Sequence, residues 1–184
     1  MNIANKISTF RILIVPFFIA SLVYYIPEKD YLRFIALFIF VLAVLSDAAD
    51  GYIARKRKQY TSAGLILDPL GDKAILLSSF ILLYFVDTGI KLPFWVMFIV
   101  VSRDAIIILG IVAVFIVRQK FDIRPTIWGK VTTSLQMLSV ICVLLRFRFS
   151  YILWSVAIMF TIISGIDYIR KGFLVLYAPG GNSK

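Results

Sequence analysis

Six apolar runs divide the chain, centred on residues 12–27, 34–46, 74–86, 92–117, 131–145 and 149–166. Most show no polar face, so they fit neither the striped helix nor the alternating strand of a water-soluble domain. Runs of this kind predict membrane-spanning helices. A span needs about 20 residues, yet the second and third runs hold only 13 each. Those two helices must therefore recruit their flanks, which predicts helix 2 over about 31–56 and helix 3 over about 63–87. The fourth run is interrupted by Arg103 and Asp104.

Composition agrees with the pattern. The chain has 184 residues, 61% of them hydrophobic, and too few polar side chains to cover a soluble core of that size. Mean hydropathy is +0.93. The expected fold is one domain, residues 1–184, of the all-α integral membrane class: six transmembrane helices after a short N-terminal juxtamembrane segment, "MNIANKISTFR". Sixteen uncharged residues follow that segment without a small-residue cleavage site, which reads as a retained first helix.

The net charge of +10 raises nucleic acid as a partner, but the cations sit in short clusters between apolar runs rather than along one groove. That placement suits anionic lipid headgroups and the positive-inside rule, and no nucleic acid partner is expected. With Lys73 and Arg103 set aside because they fall inside predicted helices, assigning loops to alternate sides puts thirteen Lys and Arg residues on one side and five on the other. The expected orientation has both termini and the loop between helices 2 and 3 in the cytoplasm. Cys142 is the sole cysteine and there is no histidine, so a disulfide framework, thiolate metal sites and histidine-based catalysis are excluded.

The loop flanks carry the chemistry. In "SDAADGYIARKRKQYTSAGLILDPLGDK", residues 46–73, Asp47 and Asp50 lie near the end of helix 2 and Asp68 and Asp72 near the start of helix 3. Spacings of three and four put each pair on one helical face, the arrangement of inward carboxylates in helical di-metal sites. Four anions at the edge of hydrocarbon must protonate or bind cations, and hard divalent ions suit oxygen ligands. Ala48, Ala49, Gly51, Ala54, Ala63, Gly64 and Gly71 leave room beside the acids, either for a ligand or for close helix packing. The cluster from Arg55 to Lys58 adds phosphate-binding charge, so phosphoryl chemistry is the expectation. A carboxylate-lined cation transporter is the alternative of another class, opposed by those same basic residues, which would repel an entering cation.

The pattern D-x2-D-G-x2-A-R-x8-G-x3-D-x3-D is filled by Asp47, Asp50, Gly51, Ala54, Arg55, Gly64, Asp68 and Asp72. It resembles the signature of the CDP-alcohol phosphotransferases at all eight positions. The likeness extends over most of the chain: "NKISTFRILIVPF", "GKVTTSLQM" and "FTIISGIDYIRKG" look like helices of the phosphatidylglycerophosphate synthase and cardiolipin synthase branch. The resemblance implies a polar cavity open to the cytoplasm and to lipid, a homodimer, and CDP-diacylglycerol as donor. It implies two divalent cations, Mg2+ or Mn2+, held by Asp47, Asp50, Asp68 and Asp72. It also implies Asp72 as the general base, with Gly51, Ala54, Arg55 and Gly64 lining the CDP site.

For the acceptor, Arg103, Lys130 and Arg124 are the candidate binding residues. Phosphatidylglycerophosphate synthases usually read G-K-x-K-T at the start of helix 5, where this chain reads "GKVTT" with Thr132 in place of the second lysine. "SRD" followed by "RPTIWGKVTTSLQ" looks more like the CMP-forming cardiolipin synthases. The expectation is therefore phosphatidylglycerol as acceptor, with glycerol 3-phosphate as the alternative.

Overall fold

In a computed structural model of the chain, the backbone is described for residues 3–57, 64–118 and 127–177, and side chains for 12–46, 73–110 and 127–171. These residues form six α-helices: α1 Ile3–Val23, α2 Tyr31–Arg57, α3 Gly64–Phe85, α4 Phe94–Arg118, α5 Ile127–Leu144 and α6 Ser150–Tyr177. No strand occurs among the described residues. The expected bounds of helices 2 and 3 differ from α2 and α3 by at most two residues. The N-terminal polar segment is not separate from the first helix: α1 is continuous from Ile3. The first apolar run also outlasts its helix, because Pro27 opens a 3-10 turn, Pro27–Lys29, that leads into α2.

Each helix buries a stripe at helical spacing. Ala36, Phe40 and Ala43 do so on α2, Leu76, Phe80 and Leu83 on α3, and Gln136, Val140 and Val143 on α5. Phe18 of α1 meets Phe40 of α2 with ring centroids 5.9 Å apart. α3 touches α1, α2, α4 and α5, whereas α6 packs on α4 and α5.

The distribution of polarity is inverted relative to a soluble bundle. Leu13, Phe17, Phe38, Leu109, Met159 and Ile166 lie exposed, while Ser79, Asp104, Gln136 and Thr161 are fully buried. A solvent of hydrocarbon rewards this arrangement: it needs no polar cover and leaves interior polar groups to bond one another. Ser79 and Thr161 hydroxyls donate to carbonyls one turn back, of Ile75 and Ala157. Among the described residues, α5 and the Ser150–Lys171 part of α6 carry apolar stretches long enough to cross a membrane. The chain is a helical membrane protein on these grounds; six complete crossings and a cytoplasmic cavity remain expectations from the sequence.

The end of the bundle formed by the α1–α2, α3–α4 and α5–α6 connections is tied by one ion cluster. Arg33 holds Asp30 through two hydrogen bonds, Nε to Oδ1 at 2.9 Å and Nη2 to Oδ2 at 2.7 Å. Its Nη1 donates to the Leu144 carbonyl at the end of α5. Arg146 donates from Nη2 to Asp30 at 2.9 Å and to the Tyr25 hydroxyl at 2.6 Å, and from Nε to the Thr88 carbonyl at 2.5 Å. Gly89 follows with φ of +103°, where an added Cβ would stand 2.6 Å from Arg146 Nε.

Candidate active site

The aspartate pattern lies at the opposite end. Asp47 and Asp50 fall in the last three turns of α2, with Gly51, Ala54 and Arg55 following, and Gly64, Asp68 and Asp72 occupy the first three turns of α3. α2 and α3 touch, so the backbone brings both acid pairs to one end of the bundle. The side chains of these eight residues lie outside the described residues. The fit to a metal therefore rests on the chemistry of the donor set, four carboxylates at helical spacing on two touching helices, which suits Mg2+ or Mn2+. Among the residues with described side chains, no other cluster of three or more potential ligands occurs.

Of the expected acceptor-binding residues, Lys130 lies exposed near the start of α5, at the same end of the bundle. Arg124, between α4 and α5, lies outside the described residues. Arg103 lies inside the bundle, on α4. It is 7% exposed, and its guanidinium is engaged inside the protein. Nη1 donates to Asp104 Oδ1 at 2.6 Å and Nη2 to Ser164 Oγ of α6 at 2.6 Å. The same Asp104 oxygen accepts a hydrogen bond from Lys73 Nζ of α3. Two cations thus share one fully buried carboxylate, and the chain of bonds joins α3, α4 and α6.

Sequence reasoning left Lys73 aside as a charge within a helix. Its position directly after Asp72, where it breaks into an apolar run, was the available signal. Ser164 offered no signal, since one serine in an apolar helix is unremarkable until its partner is known.

Thr132 also takes a place the sequence did not suggest. It is fully buried between α5 and α6. Its hydroxyl lies 2.8 Å from the Trp128 carbonyl and 3.0 Å from the Phe160 carbonyl, one proton serving two acceptors. Four residues on, Gln136 Nε2 donates to Thr161 Oγ1 at 2.9 Å. The threonine at this position thereby joins α5 to α6.

Comparison with known proteins bears on the acceptor. Residues 1–163 match the family profile described as CDP-alcohol phosphatidyltransferase. A protein of Aquifex aeolicus named CDP-diacylglycerol--glycerol-3-phosphate 3-phosphatidyltransferase is 34% identical, over 96% of this chain and 99% of its own length. Proteins of the same name from Haemophilus influenzae and Bacillus subtilis are 32% and 28% identical, each over 95% of this chain. These relatives favour glycerol 3-phosphate, the alternative acceptor, over the phosphatidylglycerol expected from sequence. With the eight-position pattern on two touching helices and a profile match across most of its length, this chain belongs to the CDP-alcohol phosphatidyltransferase family, enzymes of phospholipid biosynthesis.

Proposed function

We propose that the chain transfers the phosphatidyl group of CDP-diacylglycerol to glycerol 3-phosphate, forming phosphatidylglycerophosphate and releasing CMP. The observation that carries this reading is the near full-length similarity to the Aquifex aeolicus protein, whose name states that reaction.

Asp47, Asp50, Asp68 and Asp72 would hold divalent cations, which when bound supply charge neutralisation at the diphosphate. Asp72 accepts the proton of the attacking hydroxyl. The hydroxyl oxygen bonds to the phosphorus that carries diacylglycerol, the bridging P–O bond breaks, and CMP leaves with that oxygen. A positioned carboxylate can serve as general base in a chain without histidine. Gly51, Ala54 and Gly64 admit the nucleotide where side chains are small, and Arg55 pairs with the diphosphate. Lys130, at the same end of the bundle, and Arg124 hold the acceptor phosphate. The imbalance of Lys and Arg between the two ends puts this site in the cytoplasm. The working form is a homodimer in a bacterial-type inner membrane.

The test is to incubate the purified chain with CDP-diacylglycerol and either glycerol 3-phosphate or phosphatidylglycerol and to identify the lipid product by mass. Phosphatidylglycerophosphate is expected. Cardiolipin as the sole product would overturn the acceptor, and no CMP release with any alcohol would return the aspartates to a transport role.

A further inference from the structure

Lys73, Asp104, Arg103 and Ser164 form a bonded chain across three helices, and it begins one residue beyond Asp72. Stability alone is a poor account of it. Asp104 is fully buried with both cations on Oδ1, while its Oδ2 and Arg103 Nε have no partner among the described residues. A buried ion cluster left partly unsatisfied stabilises no better than apolar side chains of the same volume. What such a cluster supplies is a fixed geometry.

α3 needs that geometry at this point. Pro69 lies inside α3, directly after Asp68, and its nitrogen has no hydrogen to give the carbonyl one turn back. The stretch from Asp68 to Asp72 is therefore less braced by its own helix than an ordinary turn. Lys73 is the next residue, about 100° further round the helix. Its ammonium is pinned to α4, and through Arg103 to α6, where Arg103 Cγ lies 3.5 Å from the position of a Cβ on Gly165. A helix with side chains has a radius of about 5–6 Å, so a rotation of about 10° moves a side-chain tip by about 1 Å. A misplacement of about 1 Å can cost about 100-fold in rate.

We propose that Asp104 and Lys73 are positioning residues for phosphatidyl transfer. By joining Lys73 to Arg103 and so to Ser164, Asp104 sets the rotation of α3 about its axis, and with it the placement of Asp68 and Asp72. This rests on the assignment of Asp72 as the base, and it is independent of which alcohol accepts.

The experiment measures kcat and KM for CMP release by the full chain in lipid–detergent micelles. Lys73→Gln is expected to lower kcat at least tenfold, with KM for CDP-diacylglycerol and glycerol 3-phosphate within threefold. Lys73→Arg, which keeps the charge and the reach to Asp104, is expected to recover most of that loss. A kcat for Lys73→Gln within twofold of wild type overturns the proposal, as does a loss that matches the fraction of protein no longer eluting as a folded species. Should Lys73→Gln not fold, Ser164→Ala removes only the last bond of the chain. It is expected to lower kcat about two- to fivefold at unchanged KM, and an unchanged kcat overturns the proposal. Wild type inactive on glycerol 3-phosphate would defeat the acceptor assignment alone, and the same ratios would then be read on phosphatidylglycerol.

Discussion

The hydroxyl of Thr132 on α5 donates across to the carbonyl of Phe160 on α6, 3.0 Å away, under a pair of rings formed by Trp128 and Phe160 with centroids 6.0 Å apart. A side chain so placed answers to packing. Thr132→Val should cost about 0.6–1.7 kcal/mol of stability, the usual worth of an interhelical hydrogen bond in a membrane protein, and leave turnover per folded molecule unchanged. Thr132→Lys should lower stability by several kcal/mol, about 3 or more, by burying an unpaired charge. Thermal unfolding in detergent measures both. A lysine variant of full stability and enhanced use of glycerol 3-phosphate would reinstate the acceptor argument drawn from sequence.

Four aspartates on α2 and α3 should make catalysis dependent on divalent cations. Excess EDTA is expected to abolish CMP release, and Mg2+ or Mn2+ to restore it. Full turnover in the chelator would remove cations from the mechanism.

The four acids should not respond alike to substitution. Asp72→Asn keeps size and removes the proposed proton acceptor, so kcat should fall about 100- to 10,000-fold while CDP-diacylglycerol still binds. Asp50→Asn should weaken metal and donor binding together. Equal losses of binding and turnover in the two variants would deny Asp72 a separate role as base.

Acid should loosen the opposite end of the bundle. The Arg33 guanidinium, hydrogen-bonded to Asp30, lowers its carboxyl from 3.8 to about 2, opposed by partial burial and assisted by the charges of Arg33 and Arg146. Between those values the unfolded chain binds the proton and the folded one does not. The cluster's contribution is therefore complete above about pH 4 and lost as pH falls towards about 2. Asp30→Asn should flatten that part of the stability profile, measured as the thermal midpoint across the interval; a profile identical to wild type would show that the pairing contributes nothing.

Gly89→Ala tests the same cluster from its backbone. At φ of +103° an alanine is strained, and its Cβ would meet Arg146 Nε at 2.6 Å. A loss of about 1–3 kcal/mol is expected, with turnover per folded molecule retained because the loop lies at the end away from the aspartates. A variant as stable as wild type would mean that Arg146 yields without cost.

The sequence by itself determined the helices, the membrane environment and the family. Apolar runs report solvent directly, so α2 and α3 were bounded to within two residues. The backbone positions of the acid pairs, late in α2 and early in α3, were also legible, because they follow from where the apolar runs begin and end. Only the tertiary structure decided what Arg103, Thr132 and Lys73 touch. A charged or hydroxyl residue in an apolar helix must find a partner, but that partner stands on another helix: Ser164 lies 61 residues from Arg103, and Asp104 lies 31 residues from Lys73. No local spacing encodes such pairings; they arise from which faces of α3, α4 and α6 meet when the bundle closes, because hydrocarbon leaves buried polar groups no water to bond instead.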